Sequence, residues 1–397
     1  RDRIGMPDGG DPDDGDTVTV KVISSLDEVS AEHWDACAGA ENPFVSHSFL
    51  TTLEDSDAAN GEAGWLPQHI VIEDSKCLVG VAPCYLKNNS HGEYVFDWGW
   101  ADAYERAGGH YYPKLQVSVP FSPVTGPRLL VRDGEDKPHT RRMLAAGLLE
   151  LAKQHEVSSL HITFTPEDEW NELGEMGFIR RQGQQFHWHN QGFGTFDDFL
   201  ETLNSRKRKM IRKERATANE AVDIEVLTGD AIKPEHMQAF YHFYLNTVDR
   251  KWAHAYLNYE FFQLLRERMA DKVVLVIARH DGDYVAGALN LLGTDTLYGR
   301  NWGCTERFRM LYFETCFYRG IEFAIENGLS KVEAGAQGPH KISRGYLPSA
   351  TYSAHWIRDE GFRNAVADFV ERERRGIQHE MESLGDLSPF KRSNESP

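Results

Sequence analysis

Cysteine is scarce in this 397-residue chain, and cations are outnumbered. The five cysteines (Cys37, Cys77, Cys84, Cys304, Cys316) are odd in number, scattered and never spaced Cys-x-x-Cys. That argues against a disulfide framework and against a cysteine zinc site, and makes a reducing, cytoplasmic setting the natural expectation. Lys and Arg total 43 against 61 Asp and Glu, a formal charge of −18. Long-range repulsion therefore opposes non-specific binding to nucleic acid or anionic membranes, and any phosphate site has to be a local exception. Long apolar runs are missing too: stretches such as Val273 to Ala278 fall far short of the roughly twenty residues a bilayer helix needs. No Gly-x-Ser-x-Gly elbow occurs, so nothing marks a covalent serine nucleophile.

What is present suits packed cores. Hydrophobic residues make up 41% and aromatics 11% of the chain, and the length favours two domains. The opening RDRIGMPDGGDPDDGD (1–16) is rich in Gly, Asp and Pro and is expected to be a disordered tail. A weak internal repeat follows. In the first half, QHIVIED and CLVGVAPCYLK predict a strand pair, and the alternation of Tyr94, Phe96 and Trp98 in YVFDWGWAD predicts a further strand. In the second half, KVVLVIARHDGDYVAGALNLLG predicts a hairpin turning at Asp281-Gly282-Asp283 and leads to LYGRNWGCT. Each half then carries a helical pattern (Leu144, Gly147, Leu148, Leu151; Phe313, Phe317, Gly320, Ile321, Ala324) followed by a strand, so that Leu160 to Phe164 and Lys331 to Ala334 take equivalent places. The Trp98 and Trp302 segments are paired in the same way, about 200 residues apart.

Thr195 and Asp198 form a capping-box pattern ahead of the basic run NSRKRKMIRKERATA, and two amphipathic helices follow around Met237 to Val248 and Phe261 to Arg268. Phe369 to Ser383 reads as a charged helix, with a frayed tail after Pro389. The expected divisions are 1–16, a first domain at 17–192, a basic junction helix at 193–220, a second domain at 221–390 and a tail at 391–397.

Strand, hairpin, strand, helix, strand in duplicate with a basic helix at the junction resembles the acetyltransferase-like (GNAT) superfamily. FDWGWADAYERAGGHYYPKLQ, VPFSPVTGPRLL, NWGC and EAGAQGPHKISRGY look more closely like the FemAB-like branch of peptidoglycan aminoacyltransferases and related N-acyltransferases. The resemblance implies an α/β (α+β) fold of two tandem GNAT-like domains, with mixed, largely antiparallel sheets flanked by helices. It also implies an N-acyltransferase acting by direct attack of an amine, from an acyl-CoA or an aminoacyl-tRNA donor, on a small amine or a cell-wall precursor. No tightly bound cofactor is expected; acyl-CoA would be a co-substrate. The segment CTERFRMLYFE has no glycine where ordinary acetyltransferases place a Gly-rich pyrophosphate loop, which strengthens the aminoacyl-tRNA alternative. It also keeps open a non-catalytic protein that binds a cell-wall precursor or nucleic acid.

Acyl transfer to an amine needs a proton acceptor and donors for an oxyanion. Asp97, between large aromatics, is a candidate whose pKa burial would raise, against a plain turn residue; Asp102 and Glu105 stand nearby as alternatives. Glu333 falls where its strand should part from its neighbour, and is read either as a base or as an ion-pair partner of Arg300 or Arg344. In the loop GAQGPHKISRGY, His340 joins the catalytic candidates, while Gln337, Lys341 and Arg344 are candidate substrate ligands. Trp98, Asp102, Tyr104, Tyr111, Lys114, Arg300 and Trp302 complete the candidate substrate set. Tyr111, Tyr112 and Lys114 are read against simple packing. Among the seven cations from Arg206 to Arg215, the residues Arg206, Arg208, Lys209 and Arg212 are candidate phosphate or donor ligands, against a solvated face. His187 and His189 share a strand face with no third ligand at sensible spacing, so no metal is expected.

Overall fold

A computed structural model describes residues 18–251, 254–335 and 338–391; the expected tail 1–16, Gln337 and all but the first residue of 391–397 lie outside these. The first half contains β1 (Thr19–Ile23), α1 (Ala31–Ala38), α2 (His47–Asp55), β2 (Leu66–Pro67), β3 (His69–Asp74), β4 (Cys77–Ala82), β5 (Cys84–Lys87), α3 (Trp98–Arg106), β6 (Lys114–Val117), β7 (Leu130–Val131), α4 (Lys137–Gln154), β8 (Ser159–Thr165), α5 (Glu167–Glu175) and β9 (Ile179–His189). Then come α6 (Phe196–Glu201), α7 (Ser205–Ala221), β10 (Asp223–Thr228), α8 (Pro234–Arg250), α9 (Tyr259–Met269), β11 (Val273–His280), β12 (Asp283–Leu292) and β13 (Thr296–Cys304). The chain closes with α10 (Leu311–Phe313), a π-turn (Glu314–Tyr318), α11 (Arg319–Glu326), β14 (Lys331–Glu333), β15 (Leu347–Ile357) and α12 (Glu360–Gly385).

Local chemistry sets several of these elements. Asp281 and Gly282 both take positive φ (50° and 89°), the geometry of a two-residue hairpin turn, and β11 and β12 pair up to His280↔Asp283 around it. Thr195 and Asp198 cap α6 reciprocally, and Asn204 caps α7 through Lys207 N. Pro83 has no N–H to give a ladder; at that point the chain leaves the four-stranded sheet β1-β3-β4-β7 and enters an eleven-stranded one as β5. The corresponding strand of the second half, β12, has no proline and runs unbroken for 10 residues.

The large sheet has the order β10-β11-β12-β13-β14-β9-β15-β8-β6-β5-β2. Two short parallel pairs, β6 with β8 and β13 with β14, stand at matching places, as the repeat predicts for Leu160 to Phe164 and Lys331 to Ala334. Each half sends its last strand across: β9 pairs with β14 of the second half, β15 pairs with β8 of the first, and β9 and β15 pair with each other over nine positions. One apolar core joins Trp34, Phe44 and Phe49 to Phe240, Phe261 and Leu275, so residues from both halves pack together. The fold is a mixed α/β arrangement, largely antiparallel.

Three expectations are corrected. Tyr94, Phe96 and Trp98 do not form a strand: Trp98 begins α3, because Tyr94 takes a left-handed backbone (φ 62°) and the acids on either side turn inward. The strand equivalent to β13 is β6, so Trp98 and Trp302 do not occupy equivalent places. The chain after Pro389 is held as far as Lys391: Phe390 bridges Leu203, and Lys391 N donates to Thr202 O at 2.9 Å.

Candidate functional site

The residues singled out in the sequence fall into separate groups. Asp97, Tyr111 and Lys114 meet in a buried network of the first half. Lys114 Nζ lies 2.6 Å from Asp97 Oδ2 and 2.6 Å from Glu93 Oε1. Tyr111 OH donates to Asp97 at 2.6 Å, and His161 Nδ1 meets His355 Nδ1 at 2.7 Å across β8 and β15. Burial alone would push the Asp97 carboxyl up, but Lys114, then His161 and Tyr111, hold it well below the ordinary carboxylate range. The expectation of a raised pKa is therefore reversed: a carboxylate so tightly held is a poor proton acceptor. Tyr104 packs on Phe362 with ring centroids 4.9 Å apart. Asp102 sits on the exposed side of α3, bonded to Arg106 at 2.5 Å, away from this network.

The second group surrounds the end of the β13–β14 pair. These strands pair only from Thr296↔Lys331 to Tyr298↔Glu333 and then part. Arg300 is the extra residue of a bulge, since Leu289 faces Asn301 and Asn290 faces Gly299, and its guanidinium reaches the Phe121 carbonyl in the other half. Glu333 is buried and is held by Lys331 Nζ at 3.0 Å and by Thr125 Oγ1, which donates at 2.6 Å. The arginine partners considered from the sequence are replaced by this lysine and threonine. His187, beside Glu333 in register, comes within 3.8 Å of its carboxylate. Burial pushes the His187 imidazole down to about 4 despite the pull of Glu333. Thr125, His187, His189, Tyr298 and Lys331 line one cleft of about 670 Å³. Thr125, Lys331 and His187 escaped the sequence reading as neighbours of Glu333.

Lys341 is buried, and its Nζ donates to Ala334 O at 2.6 Å, its one hydrogen bond among the described residues. Burial pushes this amine down to about 8. The first half handles the matching place differently. Arg128, fully buried, donates Nε to the carbonyl of Thr163 at 2.9 Å, one residue past the part of β8 that pairs with β6, and spends its other donors on loop carbonyls. His340 packs its ring on Phe313 and Phe317 (5.8 and 5.9 Å), and Trp302 packs on Tyr312 (5.5 Å). Arg344 is committed elsewhere, to buried Glu214 at 2.7 Å and over the Phe313 ring at 3.5 Å.

The third group is α7. Arg208 and Arg212 pair with Glu201 and Asp197, and Arg215 pairs with Glu314 and Glu322. Arg206 and Lys209 are exposed and, among the described residues, have no ion-pair partner. The segment Thr305 to Met310 ahead of α10 has no glycine, and the buried carboxylate of Glu314 stands in the first turns after it. Arg215 and Arg319 neutralise that carboxylate, so it is the lack of a glycine loop that leaves a pyrophosphate without backbone donors there. Among the described residues no three His, Cys, Asp or Glu group as metal ligands, and no helix is long and apolar enough to cross a membrane.

Two exchanged α/β units, each with a short parallel pair that splays, define a tandem GNAT-like fold. The chain belongs to the FemAB-like family: the family model, described as peptidoglycan biosynthesis/recognition, matches residues 25–392. Among solved structures it is similar to FemX (11% identity, 85% of this chain and 98% of that one, TM-score 0.55) and to L-PGS from Bacillus licheniformis (11%, 84% and 98%, TM-score 0.50). A tandem GNAT protein of the clavulanic acid biosynthesis pathway is also matched (12%, 86% and 98%, TM-score 0.45). No curated protein sequence matches the chain.

Proposed function

We propose that the chain is an N-acyltransferase that moves an acyl or aminoacyl group from an activated donor to an amine of a peptidoglycan precursor, at the place where β13 and β14 part. The observation that carries this reading is Lys341: a buried cation next to the splay, with one described hydrogen-bond acceptor and a pKa near 8. Its remaining N–H groups are free to hold the oxyanion of a tetrahedral intermediate. Glu333, the last paired residue of β14, would take the proton from the attacking nitrogen. The C–N bond forms, the bond to the leaving oxygen or sulfur breaks, and the leaving group takes its proton from solvent. His340, Arg300 and Trp302 would line the approach.

The glycine-free segment favours an aminoacyl-tRNA over a thioester, with Arg206, Arg208, Lys209 and Arg212 meeting donor phosphates. The likeness to FemX supports a transferase through fold alone; the family description supports the precursor as acceptor. A second reading, recognition without chemistry, draws on the way Glu333 is already engaged by Lys331 and Thr125. The two are separated by incubating the protein with cell-wall precursors and either aminoacyl-tRNA or acyl thioesters, and following acylated product by mass spectrometry. Product that disappears in Lys341→Met supports transfer; precursor binding with no product under any donor supports recognition.

A further inference from the structure

Arg300 is a cation without an acid. Arg141, Arg215 and Arg344, which are also buried or partly so, each rest on carboxylates. Arg300 forms no ion pair among the described residues: its guanidinium donates to the Phe121 carbonyl and to the Tyr94 hydroxyl, and the Tyr244 hydroxyl stands close by. These neutral oxygens do not replace a counter-charge, and burial pushes the guanidinium below its ordinary pKa. Taking a charge out of water unpaired is costly. Such a group is retained where a ligand supplies the missing charge.

Beside it lies a narrow apolar pocket. Phe49, Phe261, Leu265, Leu289 and Leu291 line it from α2, α9 and β12, and Ser122, Arg300 and Asn301 supply its polar side. Those five apolar walls are buried, whereas Arg300 and Asn301 are only partly so, and the cationic side is therefore the outer one. The enclosed space is about 10 Å³, room for one methyl-sized group, and a cavity with such walls excludes water. A ligand that answers both features carries a single negative charge and a short aliphatic tail. A planar carboxylate matches the guanidinium fork. A phosphate dianion would keep a charge unpaired beside one guanidinium, and a long chain or a fused ring exceeds the space.

We infer that Arg300 and the pocket beside it bind a short aliphatic carboxylic acid, its carboxylate on the guanidinium and the end of its tail among Phe49, Leu265 and Leu289. Two sources present this chemistry, an aliphatic α-amino acid and a simple acid. The assignment does not rest on the transfer reading, although Arg300 stands two residues beyond Tyr298, the last residue of β13 that pairs with β14.

The test is calorimetric titration of the full chain with isocaproate, with L-leucine and with the amide of each. The pocket predicts saturable binding of at least one acid, at least about tenfold weaker binding of its amide, and a loss of about tenfold or more in Arg300→Gln. The amide comparison uses the unaltered chain, so it decides the matter where Arg300→Gln fails to fold. Tighter binding of L-leucine supports the site with an amino acid as its ligand; tighter binding of isocaproate supports it with a simple acid. Binding of neither acid, an amide that binds as tightly as its acid, or acid binding unchanged in folded Arg300→Gln overturns the assignment. Transfer assays on the same protein keep the two readings apart. Acid binding by a chain inactive with every donor overturns transfer and supports the pocket; turnover by a chain that binds neither acid overturns the pocket and supports transfer.

Discussion

Lys114 Nζ lies 2.6 Å from Asp97 Oδ2, and neither side chain is more than 3% exposed. This pair, with Glu93 and Tyr111, pins the segment that carries the exposed rings of Tyr94, Phe96 and Trp98. The pair gives Asp97 a structural role that competes with its reading as a proton acceptor.

The first prediction separates those roles. Asp97→Asn leaves the buried Lys114 ammonium with Glu93 as its one carboxylate partner among the described residues and should lower stability by about 3–5 kcal/mol, measured by chemical denaturation. The pH sign follows from the lowered folded pKa: the stabilisation is present above the unfolded value near 4 and is lost as pH falls through the folded one. A full loss of turnover with unchanged stability would instead make Asp97 catalytic.

Glu333→Gln should behave in the opposite way. It keeps the shape around Thr125 and His187, so the expected Tm change is small, while turnover falls by about 10²–10⁴-fold if a general base is lost. Steady-state kinetics beside a thermal melt reads both.

Lys341 supplies a pH signature. As the protonated oxyanion donor it loses its charge above about 8, so turnover should fall as pH rises through that value. Stability should move the other way: between about 8 and its unfolded value near 10.4 the unfolded chain binds the extra proton, so folding gains with rising pH. Lys341→Met should remove that feature from both profiles.

On α7, Arg206→Gln and Lys209→Gln should each reduce the salt slope of RNA binding by about 1 without affecting Tm. Arg215→Gln should instead destabilise the protein, because buried Glu314 loses a partner. Filter binding at several salt concentrations, with melts, distinguishes the two classes.

The parts of the fold that depend on neighbours in sequence were legible: the Asp281-Gly282 hairpin, the Thr195–Asp198 box, and the equivalence of the Leu160 and Lys331 strands. The exchange of β9 and β15 was not, because nothing local states that a strand near residue 185 pairs with one near residue 350. The alternation of Tyr94, Phe96 and Trp98 was real, yet its cause was inward-facing Glu93 and Asp97 drawn to Lys114, not a β-ladder. Glu333 drew notice through its position, whereas Thr125, 208 residues away in sequence, is brought to it only by folding.

The most direct measurement is kcat/KM for Lys341→Met and wild type, using the precursor and donor pair that gives product, with melts alongside. A drop of about 10²-fold or more at unchanged Tm is the predicted result. Equal turnover in the two proteins would contradict a transfer site at the β13–β14 splay.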